Sequence, residues 1–154
     1  MKICIVRHGA AVIGSLDDAH RPLTEKGVVQ AQAAGRWLAT QEWNDPVILV
    51  SPYFRAKQTA EAIHHSLPLC LLESAALTPD ADVNALVESF GEAERDLIIV
   101  SHLPLVGHLA ALLVDGQVFD QPWSPAECWV LSGDVAGPAC MSVSAVWYPA
   151  LENI

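Results

Sequence analysis

Positive charge is scarce in this sequence. Lys and Arg number 8 against 18 Asp and Glu, so the formal net charge is −10. A nucleic acid or an anionic membrane needs a basic face to bind, and neither partner is expected. The few cations are concentrated: of the five arginines, Arg7, Arg21 and Arg55 fall in motif-like settings, and no Lys or Arg follows Arg95. Charged residues make up only 17% and aromatics 6%, against 52% hydrophobic, a lean surface that suits a compact, well-filled fold. Cysteines number 4, with no Cys-x-x-Cys pair among Cys4, Cys70, Cys128 and Cys140. Their apolar or small neighbours argue for buried thiols in a reducing compartment and against a disulfide framework or a metal site. A phosphate-cradling P-loop and a dinucleotide fingerprint are both missing, which disfavours nucleotide-cofactor enzymes. Ser51 and Ser101 have no nucleophile-elbow context, so serine hydrolysis is not expected. The first apolar run stops at Arg7, too early for a signal peptide or a membrane span, and a cytoplasmic protein is expected. With no repeat, linker or low-complexity tract, residues 1–154 read as a single domain.

What is present is a recurring unit. Ile3 to Val6, Val47 to Val50 and Leu97 to Val100 are short, continuous apolar runs, the pattern of strands buried on both faces. Helical spacing follows them. Thr24 is placed to cap a helix whose Val28, Ala31, Ala34 and Leu38 share a face, ending near Thr40. A second helix after Ser51-Pro52 turns Ala56, Ala60 and Ile63 inward. Leu69 to Leu72 reads as a short strand, Asp82 to Phe90 as a third helix and Pro104 to Val114 as a fourth. Cys128 to Leu131 and Ser142 to Trp147 close the chain as two strands in a hairpin-like edge, separated by Gly133 to Pro138. Strands alternating with helices predict an α/β three-layer sandwich, a mostly parallel central sheet with helices on both faces.

The strand ends share a second pattern, an apolar run followed by chemistry. They read Arg7-His8-Gly9, then Ser51-Pro52-Tyr53-Phe54-Arg55-Ala56-Lys57-Gln58-Thr59, then Ser101-His102-Leu103-Pro104-Leu105-Val106-Gly107. In a parallel sheet these ends fall on one edge, where ligands bind, which brings two histidines and two arginines together from distant segments. A neutral imidazole on His8 is suited to attack phosphorus, and the planar donors of Arg7 and Arg55 match phosphate oxygens. Phosphoryl transfer depends mainly on positioning and charge stabilisation, so Arg7, Arg55 and His102 would suffice around the transferred group without metal or cofactor. His102 is expected to be most useful protonated and His8 neutral, so the two environments should push their pKa values apart.

These segments, with Arg21-Pro22-Leu23-Thr24-x-x-Gly27, resemble the histidine phosphatase superfamily, the phosphoglycerate mutase-like fold shared by cofactor-dependent phosphoglycerate mutases and acid phosphatases. Ser-His-Leu-Pro-Leu-Val-Gly and the small size are most similar to SixA-type phosphohistidine phosphatases. The resemblance covers residues 2 to about 110. It implies His8 as the nucleophile of a covalent phosphohistidine intermediate and Arg7, Arg55 and His102 as phosphoryl ligands, with Arg21 as a fourth cation. It also implies a phosphohistidine-bearing protein as substrate, such as a phosphotransfer domain in a signalling system. The alternatives are a phosphatase or mutase for small phosphate esters, and a non-catalytic module that binds phosphorylated partners. Asp80, Asp82 and Glu88 are candidates for a general acid, Asp82 being favoured by its place before a helix although a helix cap is its ordinary use. An imidazole leaving group has an unperturbed pKa of about 6.5 and has less need of an acid. Arg21 has an alternative use in pairing with Asp17 or Asp18, His64 and His65 read as surface residues, His20 reads as loop, and His108 is not expected to bind metal.

Overall fold

A computed structural model describes residues 1–14, 17–91 and 94–154. Ser15, expected in the polar loop after the first strand, lies outside the described residues.

The strands form one sheet. In chain order they are β1 (Lys2–Arg7), β2 (Val47–Val50), β3 (Leu71–Glu73), β4 (Leu97–Ser101), β5 (Cys128–Ser132) and β6 (Ser142–Trp147). Their order across the sheet is β3-β2-β4-β1-β5-β6. The first four strands are mutually parallel, and β5 and β6 run antiparallel along the β1 side. The mostly parallel sheet is therefore as expected, and the closing pair does form an antiparallel hairpin edge.

The helices are α1 (Glu25–Ala39), α2 (Phe54–Ser66), α3 (Val83–Phe90) and α4 (Leu105–Asp115). Strand alternation sends Ile3, Ile5, Leu97 and Ile99 to the face covered by α3 and α4. Cys4, Val6, Ile98 and Val100 go to the opposite face, against α1 and α2. Both faces are buried, and that is why β1 and β4 are apolar at consecutive positions. Against the strand predicted at Leu69 to Leu72, β3 is shifted to Leu71–Glu73. It is an edge strand that pairs on one side only, and the register is set by Ile48 to Val50 of β2, not by its own hydrophobicity; Leu72 remains half exposed.

The cysteine expectation holds for half of the set. Cys4 and Cys128 are buried in the sheet, whereas Cys70 and Cys140 are exposed, because they sit on the approach to the edge strand and in the β5–β6 loop. Among the described residues no helix is long and apolar enough to cross a membrane.

One contact fixes how the loop after β1 meets α1. Thr24 Oγ1 accepts the N–H of Gly27 at 2.9 Å, capping the helix as its sequence predicted. The loop then lies directly on this first turn. A β-carbon on Gly27 would stand 2.0 Å from the Ala10 carbonyl oxygen, and one on Gly9 would stand 2.5 Å from that of Gly27. Only glycine pairs let two backbones approach this closely.

Candidate active site

The carboxyl ends of β1, β2 and β4 meet in one cavity of about 620 Å³, whose lining includes Arg7, His8, Asp18, Arg21, Arg55 and His102. Each of these side chains arrives from a rigid start. His8 follows β1 directly, and its backbone is held on both sides: its N–H donates to Ser101 at 3.0 Å and its carbonyl accepts from Ala126 at 3.0 Å. Arg55 stands in the first turn of α2 and is only 3% exposed. His102 follows β4 and is 1% exposed.

The proton on His8 can be placed from its partners. Nδ1 lies 2.6 Å from the Gly9 carbonyl oxygen, which only accepts, so Nδ1 carries the hydrogen. Nε2 then has the lone pair. Arg55 Nε confirms this from the other side, donating to Nε2 at 3.3 Å. Burial is the largest influence on the ring and lowers its pKa to about 4, with the positive charges of Arg55, Arg7 and Arg21 acting the same way against the opposing Gly9 hydrogen bond. At neutral pH the site holds an uncharged imidazole with its nucleophilic nitrogen turned toward guanidinium groups.

His102 differs from the expectation of a protonated ring. Its centroid is 5.2 Å from that of His8 and 5.1 Å from that of Tyr53. Its pKa is also lowered, to about 3, first by burial and then by His8 and Arg55. The two imidazoles are therefore pushed in the same direction. Charge preferences follow desolvation and neighbouring cations, neither of which a strand-end motif displays. Among the described residues, Nδ1 of His102 is buried with no partner, as is Nε of Arg7. Arg7 is anchored through Nη1 to the Trp123 carbonyl.

Arg21 keeps both of its readings open. It lines the cavity, and it pairs with Asp18 through Nε at 3.0 Å and Nη2 at 2.9 Å. Asp18 also engages Arg55, whose Nη2 lies 3.3 Å from the carboxylate and whose Nη1 donates to the Asp18 carbonyl at 2.6 Å. The two guanidinium groups hold the Asp18 carboxyl below its usual range although partial desolvation opposes them. Asp18 is thus the anion that Arg55, at a helix amino terminus, calls for. Sequence reasoning treated it only as a salt-bridge partner for Arg21.

Asp82 is not brought to the cavity. Its carboxylate caps α3, accepting from Asn84 and Ala85 at 3.0 and 3.3 Å. The cap reading prevails, because an exposed helix start uses its carboxylate locally. His64 and His65 are exposed and His20 pairs with Asp17, while His108 pairs with Asp120 at 2.6 Å.

The supporting residues lie in the same motifs. Thr59 Oγ1 accepts the Gly9 N–H at 3.1 Å and Gln58 Oε1 accepts that of Leu23 at 2.6 Å, so α2 holds both ends of the β1–α1 loop that borders the cavity. Their spacing of three and four residues from Arg55 was the available signal, since such positions share a helix face. Glu127 offsets the burial of Arg7 by its charge, and its own oxygens accept from Ser124 and the Trp129 indole. A second cavity, of about 630 Å³, opens at the amino ends of the parallel strands around Lys2, Trp43 and Asp96. Both oxygens of Asp96 are taken there by backbone N–H groups of Lys2 and Asn44, a structural use.

The family model described as "Histidine phosphatase superfamily (branch 1)" matches residues 3–78. The phosphohistidine phosphatase SixA of Escherichia coli strain K12 is 36% identical over 124 residues, covering 76% of each chain. A SixA homolog from Haemophilus influenzae is 35% identical over 127 residues, covering 73% of this chain and 77% of that protein. Among solved structures, the protein histidine phosphatase SixA complexed with tungstate superposes with a TM-score of 0.87 at 28% identity, covering 99% of this chain and 100% of that one. The sequence relatives, the shared topology and the convergence of two histidines with the arginines at one sheet edge together establish that this chain belongs to the histidine phosphatase superfamily.

Proposed function

We propose that this protein hydrolyses phosphohistidine on a partner protein, with His8 as the nucleophile. The observation that carries the reading is the bare Nε2 of His8, 3.3 Å from Arg55 Nε, in a cavity shared with His102 and Arg7. In this mechanism the His8 Nε2 lone pair attacks phosphorus as the bond to the substrate's imidazole breaks. Arg7, Arg55, Arg21 and His102 donate to the transferred group, whose charge grows on its equatorial oxygens. The departing ring leaves as neutral imidazole when its other nitrogen carries a proton from solvent. Water then attacks the phosphohistidine formed on His8, releasing inorganic phosphate and restoring the neutral ring.

The choice of substrate class rests on the leaving group. Expulsion of an alkoxide calls for a proton donor, and the carboxylate that lines the cavity, Asp18, is ion-paired and held ionised. An imidazole that already carries a proton from solvent on its other nitrogen leaves without such help. The names of the relatives, phosphohistidine phosphatases, support the same class.

Incubation with a protein carrying radioactive phosphohistidine should label the protein transiently and release phosphate, and His8→Ala should abolish both. Sugar and glycerate phosphates should turn over far more slowly. Faster turnover of those esters would establish the small-molecule alternative, and phosphate binding without labelling or release would establish a binding module.

A further inference from the structure

Tyr53 stands at the amino end of α2, a position where Ser, Thr, Asp or Asn ordinarily accepts the free N–H groups of the first turn. Its side chain makes no such bond. The backbone is nonetheless fixed on both sides: the N–H donates to Ser51 Oγ at 3.2 Å, and the carbonyl accepts from Ala56 and Lys57 at 3.1 Å each. What the position supplies is a ring. One neighbour of that ring is His102, 5.1 Å away between centroids and inclined by 64° in a T-shaped pair. The other is Arg55, whose guanidinium carbon lies over the ring at 5.1 Å from its centroid, within the reach of a cation–π contact.

Arg55 is therefore held in two different ways. A guanidinium donates only in its own plane, and among the described residues those donors go to His8 Nε2, the Asp18 carbonyl and the Asp18 carboxylate. An oxyanion arriving beside His8 competes for the same edge, and the bonds to half-exposed Asp18 are the ones it can replace. The contact with Tyr53 uses the face of the cation and consumes no donor. It survives the exchange. Burial of Arg55 keeps water from screening this attraction, and the tyrosine ring is itself braced against His102. We infer that Tyr53 is a positioning residue for Arg55: its ring holds the guanidinium beside His8 while the donors along the edge pass from Asp18 to the incoming anion. The exchange rests on the phosphoryl transfer proposed above; the contact between ring and cation does not.

The test compares Tyr53→Leu, which keeps apolar bulk without a π face, with Tyr53→Phe, which keeps the face. Calorimetry should show orthovanadate binding about 10-fold more weakly to the leucine variant and within about 2-fold of wild type to the phenylalanine variant. In an Arg55→Ala background the leucine change should cost no more than about 2-fold, because the group it acts through is gone. NMR adds a readout that lost packing alone would not move. The side-chain N–H protons of Arg55, assigned through Arg55→Lys, should be shifted upfield by the ring in wild type and Tyr53→Phe, and should return downfield in Tyr53→Leu. Unchanged vanadate affinity in folded Tyr53→Leu, or an equal loss in the Arg55→Ala background, overturns the inference. If the leucine variant does not fold, the wild-type signal decides by itself: shielded Arg55 protons uphold the inference and unshielded ones overturn it. The expected vanadate and NMR results in a protein that phosphohistidine never labels would sink the phosphatase reading and leave the role of Tyr53 standing.

Discussion

Acid should destabilise this fold through its two buried imidazoles, and His102 offers the larger effect. In the unfolded chain a histidine titrates at about 6.5, whereas folded His102 titrates at about 3 because burial and the neighbouring His8 and Arg55 disfavour its charged form. The folded value is depressed, so the unfolded state binds the extra proton throughout the window between the two. Stability is complete above pH 6.5 and falls as pH drops through that window toward 3. Each pH unit inside the window corresponds to about 1.4 kcal/mol. Going from pH 7 to pH 4.5 crosses about two units of it, so His102 alone should cost about 2–3 kcal/mol, a substantial share of a typical domain's stability. Urea unfolding of wild type and His102→Asn at both pH values isolates this term, because the fixed cost of the substitution cancels in the difference between pH values. The gap in unfolding free energy should shift by about 2–3 kcal/mol in favour of the variant at the lower pH. A gap that stays constant to within about 0.5 kcal/mol would refute the claim that His102 is buried uncharged.

Three further outcomes follow from the geometry. Phosphoenzyme formation should stay near its plateau down to about pH 5, as stopped labelling would show, because His8 titrates at about 4; an acid limb near the ordinary histidine value would contradict the assigned environment. Asp18→Asn should tighten inorganic phosphate binding by about 3- to 5-fold in calorimetry, since it removes a half-exposed, solvent-screened negative charge worth about 1 kcal/mol beside an incoming anion; weaker binding would mean the carboxylate's main role is to order the loop. Gly27→Ala should destabilise by about 3 kcal/mol in denaturant unfolding, because its β-carbon would be driven into the Ala10 carbonyl, and a near-neutral result would show that the loop after β1 yields freely.

The sheet was legible because β1, β2 and β4 are buried on both faces and advertise it with unbroken apolar runs. Their polar ends were equally readable, since a parallel sheet places carboxyl ends together whatever the loops do. Asp18 was not. Its position depends on the path of a loop between β1 and α1 that no periodicity encodes, and the same holds for Glu127, just before β5. The charge state of His102 was misread for a different reason: a motif names the residue type, while desolvation depends on everything packed around it. Asp82 shows the reverse case, in which local chemistry, a carboxylate before a helix, outweighed a functional hope.

The double tether of the His8 backbone, to the last residue of β4 on one side and to the segment before β5 on the other, has a bearing on the second half of the reaction. A histidine pinned in this way has no arm with which to carry its cargo to another compartment of the protein. The group it accepts stays where it was taken, in the cavity that the donor enters, and the hydrolytic water must reach it there. Release of the dephosphorylated partner would then precede completion of each cycle, and a partner that lingers in the entrance would act as its own brake.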